Sequence, residues 1–247
     1  MVKNDMNKNK ETVILLSGGI DSIVAAYLLK EQGFGLIGVY VDLGIQTSKR
    51  EKASALYFSN LLRIPLNVVS YQGVGEIVSS LGNVGQLDGG DILDPEPWPD
   101  IKAENESKNR VSAFYNTVSS GIYISRALDV CKVAIGIIKD DLQHRPNIEK
   151  FLSLYADAVK ALDTNDSSEG KTQEFILPCL NFDKSSLIKE ADRLKVQLDA
   201  TYSCIQGRTL HCGVCGSCKS RKEAFKEADI EDPTWYEASP NVASRCN

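Results

Sequence analysis

Short runs that are apolar at every position alternate along this chain with stretches in which apolar residues return every three or four positions. Residues 13–16 form the first run, a buried-strand signal, and Ser17-Gly18-Gly19 follows at once. From Asp21 the period becomes helical. Ile23, Ala26, Tyr27, Leu28 and Leu29 share a face, and Gly33 stands where a C-cap glycine is expected. Residues 36–41 are a second apolar run. Residues 51–62 read as a helix carrying Ala53, Leu56, Tyr57, Asn60 and Leu61 on one face, and residues 66–69 as a third strand. A strand that is apolar throughout suits a sheet covered on both faces. Its alternation with helices predicts an α/β fold with a doubly wound parallel sheet.

Residues 73–109 break the rhythm with Gly82, Gly85, Gly89, Gly90, Pro95, Pro97 and Pro99 among many acids. The pattern predicts a long irregular segment with one short helix over 74–81, and such loops in compact domains are usually functional or mobile. Helical period returns over 111–128, followed by a fourth strand over 132–138 and an amphipathic helix over 148–162. A polar loop over 164–171 and a short strand over 175–177 come next, and Asp183 is placed to cap a helix ending at 194. After Leu198 the chain becomes cysteine-rich and then basic over 219–227. The expected organisation is a disordered arm over 1–10, an α/β domain over 11–198 and a metal-bearing C-terminal module over 199–247.

Composition changes this picture little until cysteine is counted. Of 247 residues, 28 are Lys or Arg and 33 are Asp or Glu, a net charge of −5, with 25% charged and 43% hydrophobic. These averages exclude a disordered polyelectrolyte and a coiled-coil rod. The mild acidity argues against general affinity for nucleic acid, which asks for a basic face. No run approaches the roughly 18 apolar residues of a membrane span, and the polar N-terminus lacks the apolar core of a secretory signal. Seven cysteines, an odd number, then read as thiols of a reducing cytoplasm.

Ser17-Gly18-Gly19-Ile20-Asp21-Ser22 lies between the first strand and the first helix. Two glycines let the backbone turn sharply and bring N–H groups close to a ligand. The helix start adds unpaired N–H groups and the positive end of its dipole, and Ser17 and Ser22 add hydroxyls. The assembly suits a phosphate or pyrophosphate, with Asp21 either capping the helix or helping to position Mg²⁺. Two glycines alone would serve equally well as an ordinary strand-to-helix turn; the whole hexapeptide in this setting favours the phosphate seat. It has neither the Gly-Lys-Ser/Thr of a Walker loop nor the three-glycine spacing of a dinucleotide fold. It resembles the SGGxDS loop of the PP-loop ATP pyrophosphatases. The resemblance implies that Ser17, Gly18, Gly19, Asp21 and Ser22 hold the β,γ-pyrophosphate of ATP, with catalytic roles for Ser17, Asp21 and Ser22. It also implies adenylation chemistry, in which AMP is transferred to a carbonyl or carboxyl oxygen and then displaced by a nucleophile.

Cys204, Cys212, Cys215 and Cys218 are spaced C-x7-C-x2-C-x2-C. Four thiolates make the closed tetrahedral set of a structural Zn²⁺ site; an iron–sulfur cluster takes the same ligands and is the competing reading. Gly213 and Gly216 are expected to make room for the turns. Cys131, Cys179 and Cys246 read as small buried residues or a terminal thiol. His211 is expected beside the site or exposed, since four cysteines already fill it. His144 is the only other histidine, so no histidine triad is available. Lys219, Arg221, Lys222 and Lys226 read as a solvated helix face.

Thr201-Tyr202-Ser203-Cys204, then His211-Cys212-Gly213-Val214-Cys215-Gly216-Ser217-Cys218, Arg221, Ala224-Phe225, Asp232-Pro233-Thr234 and Tyr236 together resemble the zinc tail of the 7-cyano-7-deazaguanine synthases. The likeness extends to the glycine loop, to residues 42–51 with Gly44, Gln46 and Arg50, and to residues 178–187. It implies a cytoplasmic ligase that converts 7-carboxy-7-deazaguanine, a deazapurine carboxylate, with ammonia and ATP to the nitrile through an amide. Mg²⁺ would accompany the ATP phosphates. Family members tend to form homodimers.

The middle of the chain departs from that family. Its members carry an Arg-Asn pair at the start of the helix before the fourth strand, whereas here Arg110 and Asn116 stand apart. Its Tyr-Pro-Asp-Cys-Arg run after that strand is replaced over residues 136–146 by a shorter segment that keeps Asp141 and Arg145-Pro146. Arg50, Asp141 and Arg145 are the substrate-side candidates, and are solvated surface residues otherwise. Loops beyond strand C-termini form the ligand sites of open α/β sheets. A diverged relative is therefore also expected, one that stops at an amide or passes the acyl group to an amine on a protein, as relatives in bacterial antiviral defence operons suggest. The acidic segment 88–106 would admit that acceptor. A third reading is a non-catalytic nucleotide- or nucleic-acid-binding zinc module, which would have no use for the intact glycine loop.

Overall fold

The computed structural model describes residues 10–71, 103–162 and 172–237, with side chains in the long central helix from residue 113 onward. Residues 1–9 of the expected arm, the helix over 74–81, most of the irregular segment, the polar loop and Cys246 lie outside the described residues, whereas Lys10 is described and its carbonyl accepts from the Gly35 N–H at 3.0 Å. The elements run β1 (Glu11–Leu15), α1 (Ile20–Glu31), β2 (Gly35–Asp42), α2 (Ser48–Leu61), β3 (Leu66–Ser70), α3 (Ala103–Ala127), β4 (Lys132–Ala134), α4 (Asp141–His144), α5 (Ile148–Ala161), β5 (Glu174–Ile176), α6 (Lys184–Arg193), a 3-10 turn (Leu198–Ala200) and α7 (Gly216–Ala228).

The five strands form one parallel sheet in the order β3-β2-β1-β4-β5. β1 sits at its centre, in register with β2 from Glu11 opposite Gly35 to Leu15 opposite Val39. Successive side chains of a strand point to opposite faces, so β1 feeds two cores. Ile14 and Leu16 pack with α1, α6 and α7 through residues such as Ile23, Leu187 and Phe225. Val13 and Leu15 pack with α3 and α5 through Val118, Ile122, Ile148 and Leu152. This is the doubly wound sheet that the apolar runs predict.

The differences in detail have physical causes. β4 is shorter than expected because the chain leaves the sheet at Gly136, where the start of α1 presses against it. A Cβ there would lie 2.7 Å from the Asp21 carbonyl group and the Ser22 Cα. α1 is buried over Ile20, Ser22 to Ala26, Leu28 and Leu29 rather than along one face, because the sheet and α6 enclose it. On α2 the expected face is wrong: Leu56, Tyr57 and Leu61 are 41%, 44% and 47% exposed, and Ser54, Ala55, Phe58 and Ser59 are buried instead. Small residues are needed there because α2 approaches the glycine loop closely, and the Ser54 hydroxyl lies 2.8 Å from the carbonyl oxygens of both Gly18 and Ala200. Asp183 caps α6 as expected, its Oδ1 accepting from the Ser186 N–H at 2.8 Å. That bond and the Ser185 and Ser186 hydroxyls hold its carboxyl down at about 2. Among the described residues no helix is long and apolar enough to cross a membrane.

Candidate active site and metal centre

β2 flanks β1 on one side and β4 on the other, so the connections leave β1 in opposite directions and a crevice opens at the strand ends, where open α/β sheets bind ligands. A cavity of about 310 Å³ occupies this place, lined by Ser17, Gly19, Asp21, Ser22, Tyr40 and Glu51 among others. The hexapeptide forms its floor. Ser17 and Ser22 hydroxyls lie 3.0 Å apart, the Ser17 N–H donates to Ser22 Oγ at 3.2 Å, and the Ser22 hydroxyl donates to the Gly19 carbonyl at 3.1 Å. Gly18 has φ +81°, and its carbonyl accepts from the Tyr202 N–H at 2.9 Å. Gly19 caps α1 with no side-chain bond, which leaves first-turn N–H groups without helical partners.

Asp21 therefore does not cap the helix. Its two carboxylate oxygens accept from Lys184 Nζ at 2.7 and 2.8 Å. Lys184 lies within the segment 178–187 that shares the family likeness, yet a lysine in the first turn of a helix says nothing locally of its partner, which lies at the other end of the chain. Glu51, also missed, faces the cavity with its carboxyl pushed up by burial, the Asp42 charge adding to the effect.

The three substrate-side candidates are spread over three surroundings. Arg50 reaches Thr209 Oγ1 through Nη2 and lines a cleft of about 280 Å³ with Tyr57, Asp199, His211 and Trp235. Asp141 accepts from the Ile138 N–H at 3.1 Å, and its carboxyl is pushed up mainly by burial, with the Asp21 charge contributing. The Arg145 guanidinium lies 5.0 Å from the Phe114 ring centre. It lines a cavity of about 710 Å³ with Tyr115, Asn116, Pro146, Ile148 and Phe151. Helix α3 borders both large cavities, with Ala113 and Thr117 on the loop cavity and Phe114 and Asn116 on the aromatic one.

The four cysteines converge: the Sγ atoms of Cys204, Cys212, Cys215 and Cys218 lie within 4.8 Å of one another. Cys212 and Cys218 sulfurs are 3.9 Å apart, close to the roughly 3.8 Å expected around a tetrahedral ion with zinc–sulfur bonds of about 2.3 Å. Backbone N–H groups point at the sulfurs. Gln206 and Cys212 donate to Cys204, Cys215 to Cys212, and Cys218 to Cys215. Such donors stabilise thiolates, so the set fits a metal. Gly213 has φ +74°, whereas Gly216 has open space around it, so only the first glycine serves a turn. His211 lies beside the site, buried, with Nε2 accepting from the Ser203 N–H at 3.2 Å. Burial and the nearby Arg221 push its imidazole down to about 4.

Lys219, Lys222 and Lys226 are exposed as expected of a solvated face, and Arg221 is the exception. It is 1% exposed. It donates to Thr234 Oγ1 at 2.7 Å, Thr201 Oγ1 at 2.9 Å, Ser203 Oγ at 3.1 Å and the Leu198 carbonyl at 2.7 Å, with Asp232 at 4.0 Å. It thereby ties α7 to the segment that carries Tyr202 and Cys204.

Residues 11–229 match the family described as "Queuosine biosynthesis protein QueC". The 7-cyano-7-deazaguanine synthase of Prochlorococcus marinus (strain NATL1A) is 31% identical over 233 residues, which cover 90% of this chain and 95% of that one. That of Campylobacter fetus is 27% identical over 236 residues, covering 93% and 98%. That of Methanosphaerula palustris is 29% identical over 235 residues, covering 92% and 99%. With this match spanning the glycine-loop cavity and the four-cysteine centre alike, the chain belongs to the queuosine biosynthesis QueC family.

Proposed function

We propose that the chain converts 7-carboxy-7-deazaguanine, ammonia and ATP into 7-cyano-7-deazaguanine, AMP and pyrophosphate. The observation that supports this most is the cavity at the strand ends, floored by the Ser17–Ser22 hydroxyl pair and the uncapped start of α1. There the loop N–H groups, with the hydroxyls of Ser17 and Ser22, would hold the pyrophosphate of ATP, and Asp21 would face the Mg²⁺ that travels with it. A carboxylate cannot expel hydroxide, so its oxygen first attacks the α-phosphorus and pyrophosphate leaves. Ammonia then adds to the acyl carbon, loses a proton and expels AMP. A second ATP adenylates the amide oxygen, and loss of AMP and two protons leaves the nitrile. The aromatic cavity with Arg145 suits a planar heterocycle bearing a carboxylate, through ring stacking and a charge-assisted hydrogen bond. Asp141, at the base of the same segment, completes the substrate side. Arg50, bonded to Thr209, would hold the C-terminal segment beside the loop.

The decisive experiment is incubation with ATP, Mg²⁺, 7-carboxy-7-deazaguanine and ammonium, read by mass spectrometry. Nitrile is the expected product. Amide alone, or a matching mass increase on a protein, would replace this reading with the diverged acyl transferase of antiviral defence. AMP with neither would point to another carboxylate. A cytoplasmic homodimer belongs to the same proposal, and light scattering checks its mass.

The four cysteines are proposed to hold Zn²⁺ within a C-terminal module over residues 199–247 that is structural rather than catalytic. Denaturing the protein in the presence of a colorimetric zinc indicator should release about one equivalent of metal, as a closed four-thiolate site predicts. A visible charge-transfer band in the native protein would identify an iron–sulfur cluster instead.

A further inference from the structure

Amide formation moves protons. Ammonia that has added to an acyl adenylate carries one proton too many, and the adduct expels AMP rather than ammonia only once that proton has gone. The acyl carbon is two bonds from the α-phosphorus. With the pyrophosphate end on the loop, the proton is therefore lost in the same cavity or at its mouth. Among the described residues lining that cavity, the titratable side chains are Asp21, Tyr40 and Glu51, with no histidine among them. Two of the three are committed elsewhere. Both oxygens of Asp21 accept from Lys184. The Tyr40 hydroxyl donates to the Ser48 carbonyl at 2.9 Å, and burial makes it hold its proton more tightly than an ordinary tyrosine. Glu51 is left. Among the described residues no lysine or arginine forms an ion pair with it.

Glu51 stands half-buried in the first turn of α2. Its N–H donates to the Thr47 carbonyl at 3.0 Å, and its own carbonyl lies against Gly18, where a Cβ would come within 2.5 Å. The side chain is thus carried into the cavity by a helix that is pinned to the phosphate loop. The helix start favours the carboxylate. Burial favours the acid; the Thr47 hydroxyl opposes that effect and the Asp42 charge adds to it. The titratable groups that face Glu51, Tyr40 and Asp42, both come from β2. A carboxyl raised in this way is a stronger proton acceptor near neutral pH than an ordinary glutamate. We propose that Glu51 is the catalytic base of amide formation, its carboxylate taking the proton that ammonia must lose. This rests on the function proposed above. The nitrogen lone pair forms the C–N bond while the carbonyl π pair moves to oxygen. Glu51 then takes one N–H proton. The pair on oxygen re-forms the carbonyl, and AMP leaves with the electrons of its bond to carbon. Glu51, now the acid, returns the proton to solvent.

The test separates the two half-reactions in Glu51→Gln and Glu51→Asp. ATP–pyrophosphate exchange that depends on 7-carboxy-7-deazaguanine reads adenylation, and mass spectrometry with ammonium reads the amide. Glu51→Gln should lose amide formation at least about 100-fold more than exchange, as expected when a general base is removed. Glu51→Asp, which keeps a carboxylate, should recover part of that loss. Equal losses in both half-reactions, or no loss in either, overturn the role of Glu51 and leave the proposed function standing. A wild-type protein with no carboxylate-dependent exchange brings down the function itself. The wild type also gives an answer without any variant. At constant free ammonia, amide formation should fall as pH drops through a value above the ordinary glutamate range, where the carboxylate is lost, while exchange does not follow it. Parallel pH profiles for the two half-reactions overturn the proposal.

Discussion

Gly18→Ala should abolish measurable ATP binding while leaving a folded protein. The new Cβ would sit 2.5 Å from the Glu51 carbonyl oxygen, 2.9 Å from the Ser54 Cβ and 3.2 Å from the Ala55 nitrogen, at a residue with φ +81°. Two of these three neighbours are helix backbone and cannot rotate away. Nor can Gly18 retreat, because its own carbonyl is bonded to the Tyr202 N–H and lies 2.8 Å from the Ser54 hydroxyl. The loop must therefore shift by roughly an ångström, a displacement that typically costs about 100-fold in rate when it moves reacting groups. Equilibrium dialysis with Mg-ATP and AMP release are the measurements. Stability should fall by about 1–2 kcal/mol for alanine forced into a left-handed conformation and by a further ~1–3 kcal/mol for the overpacking. An alanine variant that binds ATP like wild type would remove the loop from the active site.

Arg221→Met should be the most destabilising single change on the C-terminal side. Methionine fills similar space but removes the guanidinium from the buried Leu198 carbonyl and Thr201 hydroxyl, which keep their mutual bond at 2.6 Å, and from the half-buried hydroxyls of Ser203 and Thr234. A hydrogen bond to a charged group contributes about 1.5–3 kcal/mol, so losing the two at the buried Leu198 carbonyl and Thr201 hydroxyl is expected to cost about 3–5 kcal/mol. For a chain of this size that lowers the melting temperature by roughly 10 °C. Arg221→Lys should recover little, because a single ammonium cannot span four acceptors fixed by a planar fork. Calorimetry of the variants checks both statements. AMP release at low temperature, where the Met variant is still folded, should also fall, since the Leu198–Ser203 segment that Arg221 holds is the one that fixes Gly18.

The contrast between Gly18 and Arg221 shows what was legible in the sequence. Gly18 sits in a contiguous hexapeptide between a strand and a helix, and the four cysteines in a short spacing, so their chemistry is written locally. The apolar runs likewise declared a sheet covered on both faces, which the two cores on either side of β1 display. Arg221 read as one more cation on a basic helix, because nothing in its neighbours says that Thr201, Ser203 and Thr234 converge on it. Lys184 was silent for the same reason: its meaning lies in Asp21. On α2 the apolar residues pointed to the wrong face, because the buried side is chosen by closeness to the loop rather than by hydrophobicity. Ser54 fits beneath Gly18 where a leucine would not. In the sequence Asp21 stands equally for a helix cap or a Mg²⁺ neighbour, and the lysine that pairs with it comes from a remote helix.

The bond between Tyr202 and Gly18 joins nearly opposite ends of the described chain. Contacts so far apart in sequence form late, since the loop they close is long. During synthesis the strands of the sheet can assemble while the C-terminal segment is still being made, but the floor of the nucleotide cavity cannot yet be locked. The protein therefore completes its chemistry and one face of its core together, because α7, which covers Ile14 and Leu16 through Phe225, follows Tyr202 in the chain. A chain cut short ahead of Tyr202 would have a slack phosphate loop and a sheet bare of α7 on one face, unable to consume ATP idly, and activity would itself report that translation had reached the cysteine-rich end.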